Sequence, residues 1–156
     1  MSDRIVTSPE DAPTILFTRE FDAPPALVFR AHVDETLVPQ WIGPRGTTLA
    51  MRHWDARTGG SWSYVVSMGH EHWGFFGSFH SITPDTRIVQ TFEFDDEPDQ
   101  VNLDILGFAP LPGGRCLLTG TSVYPTIALR DAALGLDEGR DEDFARLDDL
   151  LAGGIR

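Results

Sequence analysis

Six β-prone segments between residues 48 and 124 constrain the fold of this chain more than any other feature. Each segment is short, rich in aromatic or β-branched residues, and bounded by residues that favour turns, such as Gly, Pro and Asp. The predicted strands are residues 48–54, 61–68, 72–82, 87–94, 101–108 and 116–124. Because the connections between them are short, we expect the strands to pair as an antiparallel meander.

Helical patterns stand before and after this run of strands. Residues 15–21 form a further predicted strand, and Pro24 follows at a point where the first turn of a helix tolerates a missing N–H. Asp34 can cap a second short helix. From Pro125 apolar residues recur at roughly helical spacing, so a long C-terminal helix is predicted, ending at Gly153.

This order of elements predicts an α+β fold. A seven-stranded antiparallel sheet would leave an apolar concave face in water unless the C-terminal helix packed across it. We therefore expect a curved antiparallel sheet of seven strands wrapped around a long C-terminal helix, with two short helices after the first strand. At 156 residues the chain suits a single domain at 14–152, with a flexible lead-in at 1–13 and a tail at 153–156.

Charge and residue usage exclude several classes of function. The formal net charge of −12 disfavours nucleic acids and anionic bilayers as partners. All 12 basic residues are Arg, so a lysine Schiff base and a P-loop lysine are excluded. Cys116 is the only cysteine, which excludes an internal disulfide and a multi-cysteine zinc site.

Motifs for cofactors and for targeting are not visible in the sequence. There is no P-loop, dinucleotide fingerprint, nucleophile elbow or spaced Ser/His/Asp set, so no cofactor and no catalytic machinery are predicted. No apolar stretch approaches the length of a membrane span, and the first 13 residues lack the layout of a secretory signal. We therefore expect a cytoplasmic protein that does not insert into membranes.

Several local sequences carry a resemblance to a known family. They are Arg19-Glu20-Phe21-Asp22-Ala23-Pro24, Trp41, Asp55-Ala56-Arg57 with Gly59-Gly60, Tyr124, and Glu138-Gly139. Together with the element order, they resemble the START-like helix-grip (SRPBCC, Bet v 1-like) superfamily over about residues 14–152. The likeness is strongest to the bacterial branch related to the C-terminal domain of the activator of the Hsp90 ATPase, also labelled polyketide cyclase-like. It implies the helix-grip fold, which in this superfamily serves binders, cyclases and cochaperone domains.

Aromatic residues dominate the predicted strands, and alternation places many of them on one face. Trp62, Tyr64 and Val66, for example, share a face of their strand. Such rings either fill a solid core or line an apolar pocket, and the superfamily resemblance favours the pocket. The candidate ligand-binding residues are Trp41, His53, Trp62, Tyr64, Trp73, Phe75, Phe79, Phe92, Phe94 and Gly139.

Polar residues offer fewer candidates. His53, Tyr64 and His80 are the candidate catalytic groups, since an inward imidazole or phenol could move a proton at a bound carbonyl compound. The pair His70 and His72 lacks a clear third ligand, so no metal site is predicted.

Three functional hypotheses follow. The leading one is binding of a small hydrophobic or amphipathic molecule between the sheet and the C-terminal helix, without turnover. The second is a polyketide cyclase-like or hydrolase-like enzyme that acts on a carbonyl compound in the same cavity. The third is an interaction module resembling the chaperone-activator domain, with a small or filled cavity and a chaperone-type partner. The sequence leaves a homodimer open.

Overall fold

An eight-stranded antiparallel sheet forms the frame of the described part of the chain. The structure is a computed structural model that describes residues 3–155. The strands are β1 (Ile5–Thr7), β2 (Thr14–Phe21), β3 (Thr48–Trp54), β4 (Ser61–Met68), β5 (Glu71–Thr83), β6 (Arg87–Phe94), β7 (Asn102–Leu111) and β8 (Arg115–Val123). Their spatial order is β1-β2-β8-β7-β6-β5-β4-β3. Strands β3 to β8 therefore form the predicted meander, and β2 closes back onto β8.

The predicted count of seven strands is wrong by one. The additional strand is β1, which pairs antiparallel with β2 through Ile5 opposite Thr18 and Thr7 opposite Leu16. Its three residues are too few to show an alternating pattern in the sequence. The open edge of β2 supplies the unpaired backbone groups that bind it.

Helices cover the concave face of this sheet. Helix α1 (Pro25–Val33) begins at the predicted proline pair, but the second predicted helix is only a 3-10 turn at Val38–Gln40. At the C-terminal end, α2 (Ile127–Leu134) and α3 (Glu138–Ala152) replace the single long helix that the sequence predicts. No helix among residues 3–155 combines the length and apolarity needed to cross a membrane.

The C-terminal helix is divided because two of its positions favour other interactions. Gly135 has low helix propensity and stands at the end of α2. Two residues later, the carboxylate of Asp137 forms an ion pair with Arg4, which precedes β1. This contact to a distant part of the chain holds the junction between α2 and α3 in place.

The core lies between the concave face of the sheet, α1 and α3. Strand β2 buries Ile15, Phe17 and Phe21 on that face, as period-two alternation requires. The ring of Phe144 on α3 lies 5.6 Å from the rings of both Phe17 and Phe21. Leu147, one helical turn further on, is completely buried.

An ion pair between a buried arginine and a half-buried aspartate fixes the second half of α3 to β2. Both terminal nitrogens of Arg19 donate to the carboxylate of Asp148, each at 2.6 Å. The guanidinium of Arg19 also lies 4.5 Å from the centre of the Phe21 ring. The first half of α3 has no comparable anchor on β2, and it is there that the packing opens into a cavity.

Candidate ligand-binding cavity

A cavity of about 550 Å³ lies between the concave face of the sheet and the first half of α3. Strands β4 to β7 form its floor, and the segment at residues 41–44 lies along one side. The junction between α2 and α3 contributes Leu136 at the opening, where this side chain is 81% exposed. The cavity exists because the bulky side chains of α3 begin at Phe144, while Gly139 adds none above the floor.

Aromatic rings make most of the floor. Phe75 on β5 lies at the centre of this group, 5.8 Å from the ring of Tyr64 on β4 and 5.2 Å from that of Phe92 on β6. Trp73 and Leu106 extend the apolar surface. These side chains face inward because each occupies an alternate position of its strand. The floor can therefore contact the apolar body of a ligand.

The structure brings six of the ten predicted ligand-binding residues to the cavity wall. They are Trp41, Tyr64, Trp73, Phe75, Phe92 and Gly139. A Cβ atom added at Gly139 would meet no other atom within 4 Å, so this position borders open space. The proposed role of these six residues in binding stays a prediction.

Three predicted aromatic residues are not part of the cavity lining. Trp62 is buried and stacks on Tyr64 with ring centres 5.0 Å apart. Phe79 is buried against Trp54, and Phe94 stacks on Phe75 at 5.2 Å. Trp62 and Phe94 lie beside the lining rings of Tyr64 and Phe75. These three residues therefore support the floor rather than form its surface.

His53 and His80 lie outside the cavity because both strands that carry them contain a β-bulge. The register of β3 on β4 shifts between Met51 and His53, and that of β5 on β6 shifts between Phe79 and Ser81. A bulge interrupts the alternation of faces. Both histidines are exposed as a result. Of the three candidate catalytic residues, the structure places only Tyr64 at the cavity.

A polar cluster that the sequence analysis did not select occupies one side of the cavity. Asp104 on β7 accepts a hydrogen bond of 2.8 Å from the hydroxyl of Ser122 on β8. Tyr124, just after β8, also lines the cavity. Burial raises the pKa of Asp104 and of Tyr124, so the neutral forms of both are favoured. The cluster can thus donate as well as accept hydrogen bonds.

His32 brings an imidazole to the cavity from α1. Its Nδ1 lies 2.8 Å from the carbonyl oxygen of Val28, one turn earlier in the helix, and therefore carries the proton. The ring packs edge-on against Trp41 at 4.8 Å and Phe108 at 5.2 Å. Burial lowers the pKa of His32 to about 4. Near neutral pH the ring is uncharged, and Nε2 is its hydrogen-bond acceptor.

Asp143 and Arg140 reach the cavity from the first two turns of α3. An oxygen of Asp143 accepts a hydrogen bond of 3.1 Å from the backbone N–H of Gly43, and burial raises the pKa of this carboxyl to about 7. Arg140 is the only arginine among the described residues that line the cavity. Its guanidinium lies 5.4 Å from the centre of the Phe17 ring.

One of these polar residues had a recognisable signal in the sequence. Asp104 stands two residues before Leu106 and four before Phe108, so strand alternation puts its carboxyl on the apolar face. A charged residue on such a face indicates a polar site. Asp143 and Arg140 had no such signal, because they belong to a strongly acidic helix whose charges are typical of a solvated face.

Two other regions of the described chain are less suited to binding a ligand or a metal ion. A depression of about 870 Å³ between β2 and the end of α3 is lined by charged side chains, but the principal ones pair with each other, as in Arg19 with Asp148 and Arg115 with Asp22. Among residues 3–155 no group of three His, Cys, Asp or Glu side chains is arranged to hold a metal ion. His72 instead contacts the hydroxyl of Ser67 at 2.7 Å.

Comparison with known proteins gives one family and many similar folds. The family profile described as activator of Hsp90 ATPase homolog 1-like protein matches residues 22–152. No curated protein sequence matches significantly.

Among solved structures, one from Rhodobacter sphaeroides is 24% identical and has a TM-score of 0.87 over 98% of this chain and 100% of its own. Protein Ms6760 of Mycobacterium smegmatis is 20% identical, with a TM-score of 0.86 over the whole of both chains. Protein CV1439 of Chromobacterium violaceum is 26% identical, with a TM-score of 0.78 over 88% of this chain and 96% of its own. The predicted helix-grip fold is thus confirmed.

Proposed function

Because the chain belongs to the activator of Hsp90 ATPase homolog 1-like family, we propose that it binds a small hydrophobic or amphipathic molecule between the sheet and α3. The observation that carries this proposal is a cavity of about 550 Å³ with an aromatic floor and a few convergent polar groups. Small-molecule sites in proteins combine these same features. The exposed Leu136 at the opening gives an apolar ligand a surface to meet first.

The test combines native mass spectrometry of the purified full-length protein with a thermal-shift screen of fatty acids, aromatic polyketides and other apolar metabolites. A ligand that binds only the folded state raises the melting temperature with concentration. We expect a reproducible added mass or a concentration-dependent shift for at least one class. If no class shifts the melting temperature and no added mass is seen, the proposal fails.

A second candidate function is an enzyme of the polyketide cyclase-like or hydrolase-like kind, acting on a carbonyl compound in the same cavity. The observation that favours it is that Asp104, His32 and Tyr64 all line the cavity and that burial favours the uncharged form of each, so that they are candidates for proton exchange with a bound molecule. Replacement Asp104→Asn separates the two functions. An enzyme would lose turnover of the bound compound and keep binding, whereas a pure binder would show no turnover to lose.

The interaction-module hypothesis receives less support than these two. It predicted a small or filled cavity, whereas the space between the sheet and α3 is large enough for a metabolite. Most of the exposed apolar side chains, such as Leu16, Phe76 and Leu103, are only about two-fifths exposed, and the two exceptions among the described residues are Ile5 at 68% and Leu136 at 81%. A chaperone-type partner and a homodimer remain proposals to be tested by co-purification and by light scattering.

A further inference from the structure

Arg140 is half-buried, and it differs from the three arginines whose side chains are almost completely buried because it forms no ion pair within residues 3–155. Arg4, Arg19 and Arg130 each form an ion pair with an aspartate. The guanidinium of Arg140 forms none with any carboxylate in residues 3–155, and it donates no side-chain hydrogen bond there. Its described contact is the face of the Phe17 ring. A guanidinium in this setting has five donors available for a ligand.

The charge of Arg140 affects several titratable groups of the cavity. It acts on His32, Tyr64, Asp104, Tyr124 and Asp143, which are the titratable cavity groups with perturbed protonation.

None of the carboxyl groups in the wall neutralises this charge by direct contact. Asp137 binds Arg4, Asp104 accepts from Ser122, and Asp143 accepts from the backbone of Gly43. Burial also favours the protonated forms of Asp104 and Asp143. The described part of the cavity wall therefore contains one fixed positive charge that none of its carboxyl groups contacts in an ion pair or hydrogen bond.

An unpaired cation beside an aromatic floor defines a class of ligand. Because a guanidinium matches a carboxylate through two parallel hydrogen bonds, a planar carboxylate is the complementary group. The rings of Phe75 and Phe92 suit an alkyl or aromatic body. We propose that the cavity binds an amphipathic organic carboxylic acid, with its carboxylate held by Arg140 and its apolar body against the floor. This inference rests on the proposed binding function.

The experiment compares matched acids and alcohols on the full-length protein. Isothermal titration calorimetry would use decanoate against decan-1-ol and 2-naphthoate against 2-naphthylmethanol, at neutral pH. The wild type should bind each acid about tenfold or more tightly than its alcohol, as expected for a charge-assisted bidentate contact.

Variants of Arg140 show whether this residue causes the preference for acids over alcohols. Arg140→Gln should abolish the acid preference while leaving alcohol affinity within about threefold, and Arg140→Lys should keep part of it because the charge remains. Arg87→Gln, which changes an exposed arginine outside the cavity lining, is the control and should alter neither affinity. Circular dichroism confirms that each variant is folded.

The possible results test carboxylate recognition by Arg140 separately from ligand binding in the cavity. If alcohols bind as tightly as acids, or if Arg140→Gln keeps the acid preference, the carboxylate inference is overturned and the binding function stands. If neither acids nor alcohols bind in either series, the inference falls, and the wider ligand screen decides the binding function. Loss of all binding in a folded Arg140→Gln protein would also overturn the inference, because it would make the residue part of the apolar fit.

Discussion

Burial moves the protonation equilibria of His32 and Asp143 in opposite directions. The pKa of His32 falls to about 4 and that of Asp143 rises to about 7, in both cases because the charged form loses its hydration. For His32 the unfolded chain binds the proton more strongly, so stability is lost as pH falls from about 6.5 to about 4. For Asp143 the folded state binds the proton more strongly, so stability is lost as pH rises from about 4 to about 7.

A variant at His32 isolates the first of these effects. His32→Phe keeps a ring against Trp41 and Phe108 but cannot take up a proton. As pH is lowered from 6.5 to 4, the free energy of unfolding of this variant should rise relative to wild type by roughly 2–3 kcal/mol. Urea unfolding at four pH values in this range measures the difference, in which the contribution of Asp143 cancels.

A direct titration provides the check on His32 itself. The Cε1 proton signal of His32 in a nuclear magnetic resonance spectrum should keep its neutral-form shift down to about pH 5, because a buried imidazole resists protonation. A midpoint near that of free histidine would show that the ring is hydrated. The loss of stability at acidic pH would then have a cause other than His32.

The break between α2 and α3 leaves room for the cavity. A continuous helix over residues 127–152 would follow one axis, whereas the observed junction allows α3 to begin above the cavity with Gly139 and Arg140. The empty space beside Gly139 is where an added side chain would enter the cavity. This position can therefore be used to close the cavity without disturbing the core around Phe144.

Two substitutions at Gly139 test that geometry. Gly139→Trp should fill the cavity and abolish ligand binding while the protein stays folded. Gly139→Ala, the matched control, should retain binding and gain up to about 1 kcal/mol of stability from helix propensity. Thermal melts and the ligand titrations described above measure both effects. Binding retained in Gly139→Trp would mean that ligands occupy another site.

Strand patterns predicted the sheet well because period-two alternation is a local property. Residues 48–54, 61–68 and 87–94 were predicted with the bounds that the structure has. The bulges that expose His53 and His80 were not predicted, because a register shift depends on the partner strand. The helix break was missed for a similar reason, since the partner of Asp137 is Arg4, 133 residues away in sequence.

The cavity was predicted more reliably by its apolar residues than by its polar ones. An aromatic residue such as Phe75 or Phe92 faces the core in most strand arrangements, so its type and position suffice. The proposed role of Arg140 depends on the absence of an ion-pair partner among the described residues, which only the folded structure can reveal. Its neighbour in sequence, Asp141, does pair, with Arg4.

The whole molecule is strongly acidic, and α3 carries a large share of its net charge. The net charge is −12, and α3 alone carries six acidic and two basic side chains. The proposed anionic ligand would thus be repelled at long range and attracted locally by the charge of Arg140. This balance favours ligands that bury enough apolar surface in the cavity to offset their electrostatic repulsion by the acidic protein.

The same charge predicts how salt affects stability. At about 0.01 M ionic strength charges interact over roughly 30 Å, and at about 0.15 M over roughly 8 Å. Added salt therefore screens the repulsion among the 24 acidic residues more completely than the attraction within the partly buried pair of Arg19 and Asp148. We expect the melting temperature to rise between 10 and 150 mM NaCl, as estimated from these screening lengths. Differential scanning calorimetry measures the melting temperature, with sucrose of equal osmolarity as the control for solute exclusion.

A melting temperature that falls with salt would show that ion pairs on the surface, such as Arg52 with Asp95, outweigh the net repulsion.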